Sequence, residues 1–182
     1  LADFDEIIKF RQSALNPNNP RSMGSAQNGD IFFQTRETCN TRYNELPKVV
    51  QSYMDKINEK IGTDYKLFNY YGASDATHII VAMGSVNETI EETVDYLIEK
   101  HNAKVGLIKV RLYRPFCKDA FINEIPDTVK EISVLDRTKE PGSGGEPLYL
   151  DVVNAVRNTK FFNTKIYGGR YGLSSKDTKP KD

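Results

Sequence analysis

The chain has 182 residues, 38% hydrophobic and 27% charged, enough apolar content for the core of one ordinary domain with a modest extension. Its 25 Lys and Arg balance 25 Asp and Glu, so no net field draws it to nucleic acid or an anionic membrane, and no apolar run approaches the roughly 20 residues of a membrane span. Cys39, Cys117, His78 and His101 supply neither a disulfide framework nor, without another chain, the ligands of a zinc site or an iron-sulfur cluster.

The N-terminal LADFDEIIKF is acidic and amphipathic rather than a signal peptide, so a cytoplasmic location is expected, for a chain that reads as a piece of something longer. Phe4, Ile7, Ile8 and Phe10 recur near helical spacing, with Asp3, Asp5 and Glu6 placed early, and predict a short helix over 3–15. From Asn16-Pro17 to about Thr41 the sequence is dense in Asn, Pro, Gly and Ser. It reads as an extended arm whose apolar triplet Ile31-Phe32-Phe33 lies against a neighbouring domain.

Residues 43–61 place Val49, Val50, Tyr53, Met54, Ile57 and Ile61 on one stripe, with Pro47 in the opening turn and Gly62 after the end, a helix by pattern and punctuation. Lys66–Tyr71 is a short aromatic strand suited to a sheet edge. His78–Met83 (HIIVAM) is apolar throughout, the mark of a strand covered on both faces. Gly84-Ser85 then turns into a helix carrying Ile90, Val94, Leu97 and Ile98; its free N–H groups could hold a phosphate or carboxylate, although a Ser or Asn cap supported by Glu88 is the commoner use of such a turn.

Val105–Tyr113 begins apolar and then alternates, setting Lys109, Arg111 and Tyr113 on one side, where they could meet an anionic partner or stay in solvated pairs. Arg114-Pro115-Phe116 ends the strand, and Phe121, Ile122 and Ile125 mark a short helix. Ile132–Leu135 is the next strand, cut off by the charged turn Asp136-Arg137-Thr138-Lys139-Glu140 and by Pro141, Gly142, Gly144 and Gly145. Glu146-Pro147 opens a helix to about Asn158, and the glycines of Lys165–Gly172 mark a bulge or close backbone approach in a last strand. Ser174–Asp182 is a polar tail.

This alternation predicts an α/β fold, an open three-layer α/β/α arrangement of about five mostly parallel strands, with residues 1–42 as helix plus arm and 43–182 as the domain proper. The crevice beyond the strand ends is the place for a ligand or partner. The candidate surface is therefore Arg111, Arg114, Arg137, Thr138, Lys139, Glu140, Gly142 and Glu146. No GxGxxG, GxxxxGK[ST] or GxSxG occurs, and His78 opens an apolar strand where a structural role is the commoner one. The residues alone point to a binding or assembly domain before an enzyme, with no catalytic, cofactor-binding or metal-ligating side chain assigned.

Six blocks in order, ALNPNNP, AQNGDIFFQTRE, MGSVNETIEETVDYL, VGLIKVRLYRPF, VLDRTKEPGSGGEPLYLDV and GGRYGLSSKD, resemble an internal segment of the pyruvate:ferredoxin (flavodoxin) oxidoreductases over nearly the whole chain. The resemblance implies a domain II similar in fold to the C-terminal domain of transketolases. It also implies a parent enzyme that converts pyruvate and CoA to acetyl-CoA and CO2 with thiamine diphosphate, Mg and 4Fe-4S clusters, reducing ferredoxin or flavodoxin. The expected partners are other domains of the same polypeptide and the sister subunit of a homodimer. The family's thiamine motif, a GDG followed by an Asn, is missing, since Asn28-Gly29-Asp30 lacks the surrounding pattern. An assembly role is therefore expected for this segment, the alternative being a strand-end crevice that holds a phosphate-bearing effector or part of CoA.

Overall fold

The computed structural model describes residues 2–20, 24 and 26–182. Asp3 accepts from the N–H groups of Asp5 and Glu6 at 3.1 Å and opens helix α1 (Phe4–Gln12), which keeps acids in its first turn and Lys9 and Arg11 in its last. Helix α2 (Gly29–Ile61) corrects the extended arm, because residues 29–40 are helical and continue into the helix expected only from Tyr43. No Gly or Pro falls between Asp30 and Leu46, and Thr35 and Thr38 turn their hydroxyls back onto helix carbonyls instead of nucleating turns. Residues 21–23 and 25 of that stretch lie outside the described residues. Pro47 is inside the helix, not in an opening turn; the backbone bond it forgoes is one among many in a 33-residue helix.

The chain divides into two compact units, 1–40 and 41–182. The second is built on one sheet of β1 (Phe68–Gly72), β2 (His78–Met83), β3 (Val105–Val110), β4 (Glu131–Asp136) and β5 (Lys165–Arg170), in the order β1-β3-β2-β4-β5. The aromatic strand β1 is an edge and runs antiparallel to β3, while every other pair is parallel. The apolar run HIIVAM holds the centre, with Ile79, Val81 and Ala82 buried. Helix α3 (Val86–His101) covers one face through Val86, Ile90 and Val94; α4 (Lys118–Asn123), α5 (Pro147–Val156) and Val50 and Met54 of α2 cover the other.

On that second face Phe68, Phe116 and Phe121 pack ring against ring at centroid distances of 5.2–5.4 Å, joining β1 to α4. The strand expected to reach Tyr113 stops at Val110, because the N–H groups of Arg111 and Leu112 both turn onto the carbonyl of Leu67. The glycines of β5 do not form a bulge, since its register with β4 is unbroken. Gly168 instead admits the Tyr149 ring, which a Cβ at that position would meet at 3.1 Å.

The end of β4 is fixed to α5 by a buried acid. Asp136 is 2% exposed and accepts from the Leu148 N–H at 2.9 Å and the Tyr149 N–H at 3.1 Å, satisfying donors in the first turn of α5 that have no helical partner. Glu146, 3% exposed, accepts from the Glu140 N–H at 2.7 Å and from Arg170 at 2.7 Å, with Lys139 at 3.8 Å, closing the intervening loop onto β5. Burial pushes the Asp136 carboxyl above its ordinary range against the pull of its two backbone donors. At Glu146 burial also pushes upward, but the Glu140 N–H, Arg170 and Lys139 together outweigh it and hold the carboxyl below its ordinary range.

Replacing Asp136 by Ala leaves two α5 donors unpaired, and urea unfolding should show a loss of about 1–3 kcal/mol. An unchanged midpoint and slope would remove the clamp. The depressed Glu146 group contributes stability that is present above the unfolded glutamate range and is lost as pH falls through its lower folded value. The stability gap between the native chain and Glu146→Gln should therefore be widest near neutral pH and narrow on acidification; a gap constant from pH 7 to about 3 contradicts this.

Candidate functional site

The connections out of the sheet diverge between β2 and β4. β2 leads through α3 toward the β1 edge, and β4 leads through α5 toward the β5 edge on the opposite face, so the C-terminal ends of these two neighbours open a crevice. Met83, Gly84 and Ser85 line one side of it, and Asp136, Arg137 and Thr138 the other. Tyr113, Pro147 and Tyr171 complete a cavity of about 300 Å³. A second, polar hollow of about 180 Å³ continues from it through Ser85, Arg137 and Tyr171.

The two tyrosines are hydrogen-bond donors near neutral pH. Burial, aided by Asp151, pushes the Tyr113 phenol up to about 12. Burial also raises Tyr171, with Arg137 opposing, and its hydroxyl donates to the Met83 carbonyl at 3.3 Å. Asp136 lines the cavity, but both of its oxygens already accept backbone N–H groups, so it is held in place rather than poised for proton transfer. The Gly84-Ser85 turn is not capped by a side chain as the sequence suggested. Ser85 makes no cap bond, the turn is closed by the Asn87 N–H on the Gly84 carbonyl at 3.2 Å, and Asn87 is instead buried with Oδ1 unpaired among the described residues.

The predicted surface residues separate into five places. Arg111 lies at the β1 edge, where it donates to Asn69 Oδ1 at 2.9 Å and stacks on Tyr65, while Lys109 pairs with Glu91 of α3. The strand break at Val110 is why Lys109, Arg111 and Tyr113 do not share one anion-facing side. Arg114 stacks on Tyr113 and stands 2.8 Å from Asp151 Oδ2. Arg137 and Thr138 reach the crevice, with Arg137 Nε donating to the Gly172 carbonyl at 3.1 Å. Lys139, Glu140 and Gly142 are exposed on the loop, whereas Glu146 is interior, a correction to its expected outward role. Its carboxylate is drawn in by Arg170, a residue of β5 that no local pattern links to it. Thr89, Tyr171 and Lys176 also line the crevice and were not singled out from sequence; their only signal is position just past a strand end or in the tail.

Among the described residues no three His, Cys, Asp or Glu side chains converge as metal ligands. Cys39 lies on α2 and Cys117 before α4, two thiols where a 4Fe-4S cluster takes four. The residues do not fit a cluster.

Residues 76–182 match the family model described as pyruvate:ferredoxin oxidoreductase core domain II. The chain is 54% identical over 180 residues to a pyruvate-flavodoxin oxidoreductase of Enterobacter agglomerans and 53% identical over 180 residues to a pyruvate:ferredoxin oxidoreductase of Moorella thermoacetica. Each alignment covers 99% of this chain and 15% of the relative, so the chain spans about a seventh of the length of these curated relatives. A solved 2-oxoglutarate:ferredoxin oxidoreductase from Magnetococcus marinus, with 2-oxoglutarate, coenzyme A and succinyl-CoA bound, shares the fold at a TM-score of 0.52 and 14% identity, over 93% of this chain and 26% of that one. With more than half of its length under the family model, this chain belongs to the core domain II family of the pyruvate:ferredoxin oxidoreductases.

Proposed function

We propose that the chain serves as a non-catalytic assembly domain within a pyruvate:ferredoxin (flavodoxin) oxidoreductase. In this reading residues 1–42 connect it to a preceding domain and residues 43–182 hold neighbouring domains and the sister subunit of a homodimer around cofactors carried elsewhere. The parent enzyme is cytoplasmic and converts pyruvate and CoA to acetyl-CoA and CO2 with reduction of ferredoxin or flavodoxin. Thiamine diphosphate, Mg and 4Fe-4S clusters supply its chemistry from other domains.

The observation that carries this reading is the large apolar side chains left exposed on α1 and the first turns of α2. Neither α1 nor α2 has a buried residue, yet Phe4 is 74% exposed, Phe10 80% and Phe33 67%, with Ile8, Ile31 and Phe32 near half. Monomeric surfaces seldom leave so many large apolar side chains on two consecutive helices without a partner. The exposed charges Lys139 and Glu140 lead into the Pro141-Gly142 tip of a loop whose base is fixed by Glu146, a further contact surface for neighbouring protein.

The natural polypeptide should run to about 1,200 residues, since 180 aligned residues make up 15% of the relatives. A mature product ending near Asp182 contradicts the reading. Changing Ile31 and Phe33 together to Ser should leave the melting temperature of this chain unaltered, because neither is buried. In the full-length enzyme the same pair should cost about 2–4 kcal/mol of interdomain stability, read by limited proteolysis and by a loss of pyruvate-dependent dye reduction. Full activity and unaltered proteolysis in that variant would remove the arm from the assembly.

A further inference from the structure

The polar hollow beside the crevice gathers cations and hydroxyls that the fold itself leaves unused. Lys109, Arg114, Lys139 and Arg170 each face a carboxylate of the chain. Arg137 and Lys176, which line the hollow, have no carboxylate within ion-pair distance among the described residues. Arg137 Nε is committed to the Gly172 carbonyl, which anchors the guanidinium at the root of the loop and leaves its two terminal nitrogens without a hydrogen-bond partner among the described residues. The hydroxyls of Ser85, Thr89, Ser175 and Thr178 line the same space, and none makes a hydrogen bond among the described residues. Asp177 is the one carboxylate beside them, so the lining carries two positive charges against one negative.

We propose that this hollow binds the phosphoryl group of a small phosphate ester, with the organic part of the ester lying in the adjoining cavity against Met83, Tyr113, Pro147 and Tyr171. Two cations and four hydroxyls supply more donors than the two oxygens of a carboxylate can use, whereas a phosphoryl group presents three terminal oxygens and suits the two-pronged donation of a guanidinium. The hollow, at about 180 Å³, has the volume of ~6 water molecules at ~30 Å³ each, room for a phosphoryl group and its bridging oxygen but not for a nucleoside. The larger cavity of about 300 Å³ meets it at Ser85, Arg137 and Tyr171 and is walled by a thioether, two phenol rings and a proline ring, surfaces that suit a flat or aliphatic body. The inference does not depend on the assembly role, which uses the outer faces of α1, α2 and the loop tip.

The test is calorimetry and amide chemical-shift titration of the 182-residue chain with inorganic phosphate, phenyl phosphate and phenol as probes. Phenyl phosphate should bind saturably, more tightly than inorganic phosphate, with shifts at Ser85, Thr89 and Lys176, and phenol alone should give none. Arg137→Gln and Lys176→Gln should each weaken phenyl phosphate by about 10-fold or more, the loss of one charge-assisted contact. The Lys176 side chain makes no hydrogen bond or ion pair among the described residues, so its variant keeps the test valid should Arg137→Gln loosen the Gly172 turn. Absence of saturable binding, or affinity that neither substitution alters, overturns the site. Equal affinity for inorganic phosphate and phenyl phosphate overturns the role of the second cavity.

Discussion

The structure turns on a carboxylate that has been taken out of water. Asp136 ends a central parallel strand, and a charged group so placed normally either finds partners or loses its charge. Here the partners are the two N–H groups that the first turn of α5 has to offer, at 2.9 and 3.1 Å. The contact fixes the direction in which the chain leaves β4, and with it the face on which α5 lies and the edge to which β5 is added. It also bears on the crevice beyond the C-terminal ends of the paired strands β2 and β4, because the first residues beyond that carboxylate, Arg137 and Thr138, line it.

That commitment decides what the crevice can and cannot do. Both oxygens of Asp136 are occupied, Glu146 is held by Arg170 and a backbone N–H, and Asp151 faces Arg114. The acids around the strand ends are thus spent on structure, while the groups left over, Asp177 of the tail apart, are basic or neutral donors: Arg137, Lys176, and the hydroxyls of Ser85 and Thr89. A lining of that kind is suited to the anion proposed above.

How much of this could be read from the sequence follows from how local each determinant is. The strands and helices of 66–172 were legible because each declares itself within a few residues: the unbroken HIIVAM run, the switch from Leu135 to charge at Asp136, and Pro147 at a helix start. The extended arm is not what forms because, although Asn, Pro, Gly and Ser suggest turns by composition, helix formation across 29–40 depends on the absence of a breaker from Ile31 onward and on hydroxyls that bond back to the helix. The roles of the charged turn were legible only in part. Arg137 and Lys139 do face outward, but Glu146 is buried by Arg170, 24 positions away, and Arg111 is drawn to Asn69, 42 positions away. Partners that distant carry no periodic signal.

The loop after β4 combines a stiff root with a free end, and this division follows from where its carboxylates point. Arg137 at the root is tied to Gly172, and Glu146 at the far side to Glu140 and Arg170, so both ends are pinned to β5 or to the turn that follows it. Between them Pro141 to Gly144 are exposed and contribute no buried side chain. A protein surface meeting the tip would therefore be met by a segment whose position is already set, at little further cost in chain entropy. The same pinning keeps the Arg137 guanidinium at the mouth of the crevice whether or not the tip is engaged. One rigid connection between β4 and α5 thus suffices both to present a contact surface and to hold a cation where the sheet opens.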